Sequence, residues 1–213
     1  VGRPNVGKSS IVNHILGEDR VMVSDIAGTT RDAIDVPVSV RDGEEDVPLT
    51  LIDTAGLRRK HHVDTVVEFF SVARAQKAIR RSDVVLMVVD ASDPGTAQDR
   101  RIARMINDEG KPCILLVNKW DLVSHGMSKR DLGNLVRSQI PFMKHAPVHS
   151  VSALEGTNFD GVFDHLFTVR DQMQIMVPTS VLNQFLQDTL ARTPPSSVGT
   201  KRFKVYYATM VRN

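Results

Sequence analysis

Short apolar runs alternate with stretches in which apolar residues return every three or four positions, and the alternation persists through most of the chain. Val47–Ile52, Val84–Val89, Cys113–Val117 and Val148–Val151 read as strands. The second and third are apolar throughout, as strands covered on both faces should be. Between them lie helical periodicities. Ser9–Leu16 places Ile11, Val12, Ile15 and Leu16 on one face, and Val66, Phe69, Phe70 and Ala73 follow the i, i+3, i+4, i+7 spacing. Ile102, Met105 and Ile106 mark a helix closed by Gly110, and Leu132, Leu135 and Val136 one that ends near Pro141. Phe159, Val162, Phe163 and Leu166 mark the last helix of this region. Strand and helix in alternation predict an α/β domain with a mostly parallel sheet and helices on both faces.

The pattern changes at Met173–Pro178, which reads as a linker. Beyond it Val181, Leu182, Phe185 and Leu186 define another amphipathic helix, Thr193–Gly199 a loop, and Arg202–Val211 a β-like segment. One helix and one strand cannot bury a core. The expected organisation is therefore a domain over residues 1–173 and the beginning of a truncated α+β domain over 174–213. Apolar residues make up 41% of the 213, enough for a real core in the first. The lone cysteine, Cys113, rules out an intrachain disulfide and fits a reducing cytoplasm. The longest apolar run is six residues, so no membrane partner is expected. A formal charge of +2 permits contact with nucleic acid without arguing for it, and no DNA partner is expected.

Gly2-Arg3-Pro4-Asn5-Val6-Gly7-Lys8-Ser9 fits the phosphate-loop pattern G-x-x-x-x-G-K-[ST] at every position. The glycines let backbone N–H groups converge on phosphate oxygens, and the following helix, which includes Ser10, turns its positive end to the same anion. Lys8 is the candidate bridge across the outer phosphates, and the Ser9 hydroxyl a ligand for Mg²⁺. Such a loop normally follows a strand, yet only Val1 precedes Gly2, so a P-loop NTPase fold with a truncated first strand is expected.

The base is indicated by Asn118-Lys119-Trp120-Asp121, directly after an apolar strand. Asp121 can accept from guanine N1–H and the exocyclic amino group together, whereas adenine would leave the carboxylate unpaired. Sites built on that principle discriminate by roughly 10⁴ or more. The Lys119 stem can lie on the base, Asn118 can tie the base loops together, Trp120 packs beside them, and Ser152-Ala153-Leu154 offers a backbone N–H to guanine O6. Asp53-Thr54-Ala55-Gly56 follows another strand, with Asp53 placed to hold Mg²⁺ through water and the Gly56 N–H to sense the γ-phosphate. In Gly28-Thr29-Thr30-Arg31-Asp32 one threonine should complete the Mg²⁺ shell when a γ-phosphate is present; Thr30 is favoured over Thr29. Leu57, next to Gly56, cannot orient or deprotonate water.

Taken in this order, these motifs resemble the translation-factor-related small GTPases. Asn5, Leu57 and the run Ala27–Asp32 are similar to a subgroup in which K⁺, held partly by the loop asparagine, neutralises charge in place of an arginine finger. The resemblance implies Asn5 as the K⁺ ligand; a turn-forming role is its alternative. Era-like proteins read DTPG where Ala55 stands here, and MnmE/TrmE proteins share the run Asp53–Arg58. Arg58-Arg59-Lys60, the stretch Arg74–Ile79, the NKWD motif, Val181-Leu182-Asn183 and Lys204–Thr209 resemble the tandem GTPase family EngA (Der), over essentially the whole chain.

That resemblance implies a second GTP-binding domain joined to the start of a KH-like domain. A first such domain is then missing in cis before Val1. It also implies a slow, K⁺-assisted, cytoplasmic GTPase switch, binding GTP or GDP with Mg²⁺, whose partner is the large ribosomal subunit or its precursor. Lys8, Asn5, Thr30 and Gly56 form the expected catalytic set. An MnmE/TrmE-like tRNA-modification protein, a binding module with incidental hydrolysis and a plain ATPase are the alternatives. The GXXG clamp of ordinary KH domains is absent from the sequence as it stands. Arg58–His62 reads as a solvated switch loop or a contact with rRNA phosphates, and Cys113 as a buried strand residue.

Overall fold

The computed structural model describes residues 1–23, 35–53, 67–195 and 203–211, with the backbone alone for 67–72. The chain divides into two compact units, Val1–Arg170 and Asp171–Asn213. In chain order the described elements are α1 (Lys8–Leu16), β1 (Val21–Val23), β2 (Val36–Asp42), β3 (Glu45–Leu51), α2 (Val67–Arg81), β4 (Val85–Asp90) and α3 (Ala97–Asp108). They continue with β5 (Cys113–Asn118), α4 (Lys129–Gln139), β6 (Val148–Ser150), α5 (Asp160–Gln174) and α6 (Thr179–Arg192).

The fold is α/β, built on a parallel β4–β5–β6 sheet and an antiparallel β1–β2–β3 sheet. Among the described residues the β4–β5–β6 sheet is parallel, as expected, and the β1–β2–β3 sheet is antiparallel. β1 and β2, with Val36, Val38 and Val40 alternating along β2, were not among the strands expected from the sequence. β2 turns directly into β3, with Val36 opposite Leu51 and Asp42 opposite Glu45.

The continuous apolar runs of β4 and β5 have a direct cause. Val88, Ile114 and Leu116 pack with Ile11 and Ile15 of α1, with Val162, Phe163 and Phe167 of α5, and with Val38 and Val40 of β2. Their neighbours in sequence, Val85, Met87, Val89, Cys113, Leu115 and Val117, face the other way. These meet Ile79 of α2, Ala103 and Ile106 of α3, and Leu132 and Val136 of α4. Both faces are covered, so every position must be apolar. Cys113 belongs to the second set; burial pushes its thiol up to about 12, which makes it core filling and not a nucleophile.

Val1 joins the edge of β4. Its amino group donates to the Leu86 carbonyl at 2.8 Å, and the Val88 N–H donates to the Val1 carbonyl at 2.8 Å, the pattern of a parallel pair opposite Met87. The phosphate loop thus departs from the sheet beside β4.

In the second unit no residue of α6 is buried. Residues 203–211 form no ladder, contrary to the β-like expectation for Arg202–Val211. The backbone of Ala208 instead pairs with the Asn183 side chain, receiving its Nδ2–H at 2.8 Å and donating its N–H to Oδ1 at 2.9 Å. A side-chain amide has taken the partners a neighbouring strand would supply. α5 runs to Gln174, so the expected linker begins later than Met173.

Candidate functional site

Three loops converge at the carboxyl ends of β4 and β5, the edge at which open α/β sheets bind ligands. Gly2–Gly7 leads into α1, whose N-terminal position, Gly7, has a φ of 91° and no side-chain cap. Other helices close the same end with side chains: Thr96 and Asp99 form a capping box on α3, and Ser128 accepts from the Asp131 N–H on α4. The first turn of α1 also carries no acidic residue. With no cap and no carboxylate of its own there, the positive end of its dipole suits an outside anion.

Glycine is required at both ends of the loop. A Cβ on Gly7 would collide with the Asn118 amide nitrogen, and one on Gly2 with the Val88 carbonyl oxygen. Asn5, Asp53 and Lys119 also have positive φ, at 62°, 65° and 65°, so each motif has one non-glycine residue in the left-handed region. Such backbone is costly and is held only where surrounding contacts impose it.

Asn118 supplies much of that constraint. Although buried, it donates Nδ2–H to the Val6 carbonyl at 2.9 Å and accepts the Ala153 N–H on Oδ1 at 3.0 Å. One side chain therefore joins the phosphate loop, the end of β5 and the Ser152–Leu154 loop. Asp121 lies across from that loop, where the Ser152 hydroxyl donates to Oδ1 at 2.5 Å. The Trp120 N–H donates to the Val151 carbonyl at 3.1 Å, while its side chain packs on the α3–α4 side of the core. Ser152 is buried and Leu154 exposed.

Lys119 points its Nζ to Asp90 Oδ2 at 2.5 Å. Burial alone would raise the Asp90 carboxyl, but hydrogen bonds from Lys119 and then Ser92 turn the net shift downward. Asp90 was not among the residues expected at the site. It closes β4 as Asn118 closes β5, and the two are register partners. The signal was a charged residue ending an apolar strand on the ligand edge.

Lys8 donates to the Arg3 carbonyl at 2.7 Å across its own loop. Burial holds its ammonium below the ordinary value, opposed by the field of Asp53. The Arg3 guanidinium turns away from the loop interior, donating to the Asp93 carbonyl at 3.0 Å and lying 3.5 Å from Asp99. Pro4, Asn5, Ser9 and Ser10 are exposed or half-exposed along the loop and first turn. Asp53 accepts from Arg74 of α2, a residue that sequence reasoning did not place at the site. Thr29, Thr30, Thr54, Ala55, Gly56, Leu57 and Arg58–His62 lie outside the described residues.

A Mg²⁺ ion would draw on Ser9 and Asp53 from this part of the chain. The donors are a hydroxyl and a carboxylate beside a cradle with no β-carbon, a hard oxygen set suited to Mg²⁺ shared with phosphate. Among the described residues no group of three or more His, Cys, Asp or Glu side chains is placed to hold a metal by itself.

Fold and loops together define a P-loop GTPase. The sequence model of the 50S ribosome-binding GTPases matches residues 1–119, and that of the C-terminal KH-domain-like region of EngA bacterial GTPase enzymes matches residues 176–213. GTPase Der of Desulforudis audaxviator is 47% identical over 212 residues, covering 99% of this chain and 48% of the relative. Among solved structures, Era in complex with MgGDPNP and a segment of 16S ribosomal RNA shares 27% identity at a TM-score of 0.56, covering 79% of this chain and 54% of that one. An Aquifex aeolicus Era variant bound to GDP·AlF4⁻ shares 29% at a TM-score of 0.56, over the same 79% and 54%. The chain belongs to the 50S ribosome-binding GTPase family, in its EngA (Der) form, and spans about half the length of the curated relatives it matches. The KH-like match separates it from the MnmE/TrmE alternative.

Proposed function

We propose that this chain is a GTP-hydrolysing switch in assembly of the large ribosomal subunit, acting in the cytoplasm, with slow turnover accelerated by K⁺. A further GTP-binding domain in cis and a completed KH-like domain belong to the same reading. The observation that carries guanine-nucleotide use is the Asn118 junction, which holds the phosphate loop and both base loops in one arrangement.

On this reading Asp121 accepts from guanine N1–H and the 2-amino group, with Ser152 fixing the rotamer of its carboxylate. Lys119 lies along the base while Asp90 neutralises its ammonium. The N–H groups of Gly2–Ser9 wrap the phosphates, and Lys8 leaves the Arg3 carbonyl for the β- and γ-phosphates. Mg²⁺, held by Ser9, Asp53 and Thr30, supplies charge neutralisation when bound. Thr30 and the Gly56 N–H orient the γ-phosphate for in-line attack by water. Leu57 leaves water positioning without a side-chain partner, which accounts for slow turnover. Asn5, exposed and with an amide oxygen to offer, is suited to K⁺ beside the β–γ bridge.

Asp121→Asn is expected to cost GTP affinity about 100-fold or more while improving xanthosine triphosphate binding, read by calorimetry. Unchanged preference would remove the guanine reading. Phosphate release should be on the order of ten-fold or more faster in K⁺ than in Na⁺, with the difference abolished in Asn5→Ala. Equal rates in the two salts for the wild type would remove K⁺ from the mechanism.

A further inference from the structure

Helix α2 has no part in this chemistry, yet it carries two arginines aimed at the site. Arg74 and Arg81 are seven residues apart, two turns along one face. Arg74 donates Nε–H to Asp53 Oδ1 at 2.6 Å, and its Nη2 lies 2.5 Å from the same oxygen. Arg81 pairs with Asp35 Oδ2. Asp35 stands immediately before β2 and Asp53 two residues after β3, and the Asp53 N–H donates to Asp35 Oδ1 at 3.3 Å. Since Val36 is opposite Leu51, the two carboxylates mark adjoining strand ends. Two guanidinium–carboxylate pairs thus fasten α2 across the ends of β2 and β3.

The two pairs are not equivalent. Asp53 has a second claimant, the Mg²⁺ of the proposed function; Asp35 is held by Arg81 on one oxygen and the Asp53 N–H on the other. We propose that Arg74 is a displaceable stand-in for the metal, and that Arg81–Asp35 is the fixed pivot about which α2 is freed when Mg²⁺ takes Asp53. The inference rests on Asp53 serving the metal.

Both Arg74 nitrogens converge on one oxygen, so a metal-bound water needing that oxygen competes with them directly. The Arg74 side chain is 47% exposed and that of Asp53 26%, and the Arg81–Asp35 pair has the same exposure, so solvent and salt screen both. Both are weak enough for a divalent cation to displace; what sets Arg74 apart is that its carboxylate is the one the metal claims. Metal occupancy is thereby reported to α2 by the loss of one ion pair.

The test is calorimetric titration of MgCl₂ into the EDTA-stripped, GDP-loaded chain, with hydrogen exchange over residues 67–81 measured with and without Mg²⁺. Arg74→Gln should bind Mg²⁺ roughly two- to five-fold tighter than wild type and lose the Mg²⁺-induced rise in exchange. Arg81→Gln should keep wild-type Mg²⁺ affinity and exchange faster in both states. Arg74→Lys, with a single point charge in place of the fork, should fall between wild type and Arg74→Gln and serves if the glutamine variant does not fold. Unchanged or weaker Mg²⁺ binding in the Arg74 variants, with weakened binding in Asp53→Asn, would overturn the stand-in and leave the metal reading intact. Wild-type affinity in Asp53→Asn would overturn both.

Discussion

Asn118 is 3% exposed, and the groups it serves, the Val6 carbonyl and the Ala153 N–H, belong to segments 112 and 35 residues away. Truncation to alanine would leave both without a partner inside the protein, and an unsatisfied buried polar group costs about 1–3 kcal/mol. Asn118→Ala is therefore expected to lower unfolding free energy by about 2 kcal/mol or more in urea titration, and to weaken GTP binding in parallel. Stability falling while affinity holds would mean that the phosphate loop keeps its shape unaided. Gly7 depends on the same neighbour, because its missing β-carbon is the space the Asn118 amide occupies. The two positions should be non-additive, with Gly7→Ala less damaging in the Asn118→Ala background. The NKxD spacing exposed Asn118 as a tie between loops, but not that it also reaches Val6. That contact depends on how β5 sits beside the phosphate loop, which sequence spacing does not encode.

At the scale of elements, legibility followed the reach of the forces involved. β4 and β5 were readable because two-sided burial leaves an unbroken apolar run, and α3, α4 and α5 because one-sided burial leaves a 3.6-residue period. β2 was missed although Val36, Val38 and Val40 alternate. Pro37, Ser39 and Arg41 intervene, and a strand with one polar face reads like loop unless its partner is known. Arg202–Val211 failed in the opposite direction. Tyr206, Tyr207 and Val211 carry high β propensity, yet that propensity measures fit to a sheet, and Asn183 supplies the partner to Ala208 instead. Arg74 and Asp35 were invisible for a third reason. Their roles exist only once β2, β3 and α2 are brought together, and nothing in their local spacing distinguishes them from surface charges.

At the scale of the whole molecule, the first unit owns a core and a nucleotide site, while α6 in the second buries no residue. The net charge of +2 gives little long-range attraction to RNA, so on the proposed reading ribosome binding would come from local surfaces. If the chain switches as proposed, it should co-sediment with large ribosomal subunits more strongly with a non-hydrolysable GTP analogue than with GDP. Asp53→Asn should erase that difference, and binding should weaken as salt is raised. Equal sedimentation in the two nucleotides would make the site a static ligand and not a switch. The Asn118 junction bears on the timing of such a cycle. On the proposed reading base and phosphates are gripped by loops that share one amide, so a departing nucleotide would not let go of one end and linger by the other. On the proposed reading departure is a single event, and the residence time of GDP is set by how seldom that shared grip opens, which makes the junction a clock as well as a clamp.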